Sequence, residues 1–187
     1  MSKITIAQVK KVLPKIAPGL QKYLCLRCRF HEVNVLKCQQ FQTDCNHFFR
    51  IRQKSKEFYD EYYRFMEKHK NDESLTFEAV IDHLHRKTGS VEASFASKLL
   101  SMINPDKPVL DSRVLATLDI KRVRHSDSKE WIKRNKDTYN AICAWYENHF
   151  KSGVAAKWIE LFDKRYPDAR GRMTDVKKID LILWQIR

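Results

Sequence analysis

Four glycines in 187 residues leave this chain few places where the backbone can reverse sharply at positive φ. Two-residue β-hairpins depend on such positions. Alternating apolar and polar runs, the mark of half-buried strands, are also scarce. Apolar residues recur instead at spacings of three and four along most of the sequence, so the expectation is an all-α fold. With 43% hydrophobic residues the chain can bury one good core. Residues 1–187 therefore read as a single helical domain, built as one body or as two packed helical lobes.

The most informative stretch runs from Gly89 to Leu118. It reads as a turn at Gly89, a helix, a connector bracketed by Pro105 and Pro108, and a second helix opening at Asp111. At about 100° per residue, Phe95, Ala96, Leu99, Leu100 and Ile103 share the inward arc of the first helix, and Ser94, Ser97 and Ser101 lie opposite. Lys98 falls on the border, where its stem can be covered while its amine reaches the serine side. Glu92 falls within the apolar arc and is either a first-turn carboxylate favoured by the helix dipole or a buried partner of a cation. Pro108 disfavours helix at Lys107, Val109 and Leu110 are core candidates, and Asp111 takes the N-cap slot before Ser112. An aspartate there is at least a helix cap.

Helix, apolar-ended connector and an aspartate opening the next helix, in the form SFASKLLSMINPDKPVLDSRV, resemble the core of the helix-hairpin-helix DNA glycosylase superfamily. The similarity is greatest to small bacterial proteins with an 8-oxoguanine-DNA-glycosylase fold. It is specific over residues 89–118 and looser from Phe58 to Trp184. The resemblance implies a helical glycosylase fold, double-stranded DNA as the partner, and excision of a damaged or modified base by hydrolysis of its N-glycosidic bond. That reaction serves base-excision repair or defence against phage. It passes the role of catalytic carboxylate to Asp111, with Gly89 at the DNA-facing turn. The chain departs from the family pattern twice. Only Gly89 is available where a Gly-x-Gly turn is usual, and the segment Val91–Ala93, where bifunctional members carry a lysine, has none. A monofunctional, hydrolytic enzyme needs no lysine; Lys98, thirteen residues before Asp111, is a second catalytic candidate whose role the resemblance does not supply, with Glu92 and Ser94 as pocket residues.

Charge agrees with a polyanionic partner. Thirty-six Lys and Arg against 23 Asp and Glu give a net charge of +13. Lys121, Arg122 and Arg124 form a basic segment just after the second helix and are candidate phosphate contacts. No run of about 18 apolar residues and no signal-peptide core is present, so the expectation is an intracellular, cytoplasmic protein that sits on the nucleoid when bound to DNA. No membrane, cofactor or obligate protein partner is expected.

Cys25, Cys28, Cys38 and Cys45 crowd into one segment with His31 and His47 near, which raises a zinc or iron–sulfur site. Only Cys25-x-x-Cys28 has ligand spacing, and Cys38 and Cys45 fall on the apolar stripe of a helix expected from Val33 to about Lys56, so no metal is assigned. Pro14 and Pro18 are expected to end or redirect the first helix. The aromatic run Phe58 to Met66 reads as core, and Asp163, Asp175 and Asp180 as surface or capping charges. No Gly-rich phosphate loop, Gly-x-Ser-x-Gly or His-Glu-x-x-His is present. Two other readings stay open: a DNA-binding protein in which Asp111 is only a cap, and an interaction module stabilised by metal on the cysteines.

Overall fold

In the computed structural model, which describes residues 4–121 and 124–186, every regular element is helical and no strand occurs among the described residues. α1 (Ile6–Val12) opens on a capping box in which Thr5 Oγ1 accepts the Gln8 N–H at 3.2 Å and the Gln8 side chain accepts the Thr5 N–H at 2.8 Å. α1 stops at Val12, ahead of Pro14, as expected, and each proline then lies in the first turn of the element that follows. Pro14 sits in the first positions of a 3-10 turn, Leu13–Ile16, and Pro18 in the first turn of α2 (Ala17–Glu32). At that position a proline lacks only an N–H that would have had no helical partner.

The helix expected from Val33 to Lys56 is shorter. Asn34 closes a turn by accepting the Lys37 N–H at 3.0 Å, and α3 (Gln39–Phe49) ends where Arg50 turns left-handed at φ 55°. Cys38 is therefore the N-cap residue, while Phe41, Cys45 and Phe48 carry the buried stripe. α4 (Lys56–Lys68) buries Phe58, Tyr62, Tyr63, Phe65 and Met66, as its spacing implies. α5 (Phe77–Thr88) is capped by Thr76, which accepts the Ala79 N–H, and stopped by Gly89 at φ 70°.

α6 (Ala93–Ile103) is the central helix. Every residue from Ala96 to Ile103 is buried, including the serine side. A helix apolar on one face and covered on the other needs its hydroxyls satisfied. Ser97 Oγ accepts the Leu110 N–H at 2.9 Å and donates to Ser94 O at 2.9 Å, while Ser101 Oγ donates to Lys98 O at 3.2 Å. The connector is thereby tied to α6. Tyr139 Oη bonds Pro108 O and Thr174 Oγ1 bonds Pro105 O, so the chain entering α7 (Ser112–Leu118) is fixed from three sides.

α8 (Ser128–Lys151) starts at Asp127, which accepts the Glu130 N–H at 2.8 Å, and Gly153 at φ 72° turns the chain into α9 (Val154–Arg165). α10 (Asp175–Leu183) follows the Thr174 cap and is buried from Lys177 to Leu183. Here the surface assignment of Asp180 fails. Asp180 is 1% exposed, paired with Lys177 at 2.7 Å and bonded by Tyr146 Oη at 2.5 Å. Asp163 and Asp175 both hold Lys178, and only Asp175 is mostly exposed. The buried apolar side chains form one contiguous cluster from Val9 to Ile186, and no described helix is long and apolar enough to cross a membrane.

Candidate functional site

The folding of the connector onto α6 brings Lys98 and Asp111 together at a cleft of about 840 Å³, within the range of small-molecule sites. Lys98 Nζ lies 3.1 Å from Asp111 Oδ2, with side-chain exposures of 4% and 19%. Asp111 Oδ1 accepts the Arg113 N–H at 3.0 Å, so the cap bond orients the carboxylate and leaves its other oxygen toward the lysine. Lys98 enters from a buried helix, and its ammonium also stands 5.4 Å from the centre of the Phe95 ring. Burial pushes Lys98 below the ordinary lysine range; Asp111 opposes that shift and the nearby positive charge of Arg50 adds to it.

The remaining walls come from segments distant in sequence. Gly19 and Lys22 of α2, His47, Phe48 and Phe49 of α3, and Arg50 and Arg52 after it form one side. Ser94, Arg113, Leu181 and Trp184 are on other sides of the same cleft. Phe48 and Trp184 pack with ring centres 5.7 Å apart, and the buried Trp184 Nε1 has no hydrogen-bond partner among the described residues. Phe48, Leu181 and Trp184 also border a small crevice that reaches the Lys177–Asp180 pair. Lys22 Nζ approaches His47 Nδ1 at 3.4 Å. Among the described residues of the lining, Asp111 is the one carboxylate beside five cationic Lys and Arg side chains.

Of the residues singled out from sequence, Asp111, Lys98 and Ser94 line the cleft. Glu92 does not. It takes the N-cap position of α6, makes no side-chain cap bond, and pairs with Lys54, whose ammonium lies over Phe58 and Phe95. The partner foreseen for a buried Glu92 is thus present, and the pocket role passes to other residues. Gly89, Lys121 and Arg124 are exposed and outside the lining, and Arg122 lies outside the described residues. Sequence reading missed Lys22, Arg50, Arg52, Phe48 and Trp184. The run His47-Phe48-Phe49-Arg50-Ile51-Arg52, aromatics passing into alternating arginines, is the signal that could have found part of the site.

Among the described residues no group of three or more His, Cys, Asp or Glu side chains is placed to hold a metal ion. Cys25 and Cys28 are exposed on α2, Cys38 is half-buried and Cys45 fully buried. Comparison of the chain with family models, with curated proteins and with solved structures gives no match in any of the three. The chemistry of the cleft therefore rests on its own geometry. An oriented carboxylate beside an ammonium can stabilise a developing cation, take a proton from water, or hold a polar leaving group.

Proposed function

We propose that the protein is a DNA glycosylase working by hydrolysis, with Asp111 as its catalytic carboxylate. The observation that carries this reading is the Lys98–Asp111 pair, 3.1 Å apart at a cleft of about 840 Å³ with a cationic lining. A target nucleotide leaves the duplex and enters the cleft, where Phe48 and Trp184 offer flat apolar surface to the base. As the bond between the base nitrogen and C1′ breaks, its electron pair leaves with the base and positive charge builds on the sugar. Asp111 stabilises that charge and accepts the proton of the water that attacks C1′. Lys98 holds the carboxylate in place as a buried counter-ion, and Ser94 lies within reach of the same space. Repair of a damaged base and removal of a modified base from phage DNA are the same reaction on different substrates.

The test is alkali-revealed strand cleavage on duplexes that carry oxidised, alkylated, deaminated and hypermodified bases, with wild type and Asp111→Asn. Abasic sites from one substrate, lost in the variant while DNA binding persists, are expected. Release by Asp111→Asn at the wild-type rate would overturn the assignment, and binding without release from any DNA would leave the cleft a DNA-binding site only. Strand cleavage without alkali, trapped by borohydride on Lys98, would replace water with lysine as the nucleophile.

A further inference from the structure

Beyond the Lys98–Asp111 pair, the cleft carries positive charge that no carboxylate among the described residues pairs with. Elsewhere the basic side chains of this protein are repeatedly paired: Arg29 with Asp44, Lys54 with Glu92, Arg134 with Glu130, Lys136 with Asp82 and Lys178 with Asp163. Arg50 and Arg52 have no ion pair and no hydrogen bond from their side chains among the described residues, yet both line the cleft. Among the described residues the Lys22 ammonium meets only His47, and the Arg113 side chain only the backbone oxygen of Trp184 at 3.4 Å. Unpaired like charges gathered in a concave surface raise a positive potential there, which favours an anionic ligand.

The segment that presents the two arginines is built and held. Arg50 and Gln53 both adopt left-handed conformations, at φ 55° and 57°, which non-glycine residues enter at a cost of about 1 kcal/mol each. Ile51 between the arginines is 2% exposed, its N–H bonds Asn46 O at 2.9 Å, and its carbonyl accepts Tyr59 Oη at 3.2 Å. Lys54 then ties the end of the segment to Glu92 at the start of α6. With Ile51 anchored in the core, Arg50 and Arg52 on either side of it are both exposed, and little backbone ordering is left for binding. Guanidinium groups suit paired phosphate oxygens better than an ammonium does.

We propose that Arg50 and Arg52, assisted by Lys22 and Arg113, are a phosphate clamp that grips the DNA backbone next to the nucleotide entering the cleft. The inference rests on the reading of the cleft as a DNA site, and it moves the main backbone contact away from the Lys121–Arg124 segment. Each phosphate contact contributes about −0.9 to the slope of log binding constant against log salt.

Fluorescence anisotropy of a labelled duplex, titrated between about 50 and 200 mM salt, should show Arg50→Ala/Arg52→Ala with a slope shallower by about 1.8 and affinity at least about tenfold weaker at the low-salt end. Lys121→Ala/Arg124→Ala should keep most of the wild-type slope. Alanine at position 50 keeps a side chain in the same left-handed conformation, and Arg52→Glu, at a position with ordinary φ and with the same change in net charge as the double variant, is the second variant; it should weaken binding as well. An unchanged slope and affinity for both variants would overturn the clamp. Base release measured on the same preparations separates the two ideas. No release anywhere with the slope loss intact would refute the glycosylase and keep the clamp, and release with an unchanged slope would do the reverse.

Discussion

Lys98 Nζ lies 3.1 Å from Asp111 Oδ2, and the two residues belong to different helices joined by a connector that Ser97 pins to α6. The pairing is expensive to break from one side. Asp111→Asn removes the charge that offsets the desolvation of Lys98 and leaves Arg50 acting on it unopposed. Urea unfolding should show a loss of about 1–3 kcal/mol, and Lys98→Met/Asp111→Asn should recover most of it, because no charge is then left buried at this pair. A single variant as stable as wild type would show that the pair is not coupled in the folded protein.

The buried triad behind the cleft should be more costly still. Lys177 and Asp180 are each 2% exposed at the side chain, and Tyr146 satisfies the second carboxylate oxygen. Asp180→Asn leaves Lys177 as an uncompensated charge in the core. The expected loss is about 3–5 kcal/mol, read as a fall in the urea midpoint with the slope m unchanged. A loss below about 1 kcal/mol would place the pair in effective contact with water.

His149 makes stability depend on pH. Its ring stacks on Trp145 at 4.5 Å and meets Trp158 edge-on at 4.4 Å, and burial lowers its pKa from 6.5 to about 4. At neutral pH the ring is uncharged in both folded and unfolded chains. As pH falls below 6.5 the unfolded chain takes up a proton that the folded chain refuses, so this contribution to stability declines until about pH 4 and then levels. Melting temperatures of wild type and His149→Phe measured at neutral pH and near pH 4.5 should diverge, with the wild type losing more. Parallel losses would show that His149 titrates alike in both states.

The thiols give a graded prediction. Cys25 and Cys28 are exposed, and the neighbouring Glu32 raises the Cys28 pKa, whereas burial pushes Cys45 up to about 12. Since the thiolate is the reacting form, Ellman's reagent should label Cys25 first, Cys28 more slowly, and Cys45 only after unfolding. Labelling of Cys45 at the rate of Cys25 in the native protein would contradict its placement.

Much of the fold was legible because local chemistry decides it. Thr76, Asp127 and Thr174 cap the helices their positions announce, Gly89 and Gly153 take left-handed turns, and Asp111 opens α7. Pro14 ends α1 at Val12 as expected, and what the spacing did not show is that Pro14 and Pro18 each also sit in the first turn of the element that follows. Asp180 was misread because Lys177-x-x-Asp180 is the pattern of an exposed helix pair, and only the packing of α10 against the rest of the core makes it a buried one. The cleft was half legible. Lys98 and Asp111 sit within one local motif, but Lys22, Arg50, Phe48 and Trp184 join them through tertiary packing over long sequence separations.

The role of Asp111 is tested by mass-spectrometric detection of free bases released from damaged and phage-modified DNA by wild type and by Asp111→Asn under single-turnover conditions. One released base is expected from wild type, with a rate at least about 10²-fold lower for the variant. Equal release by both proteins, or no base from any DNA despite tight binding, would contradict that role.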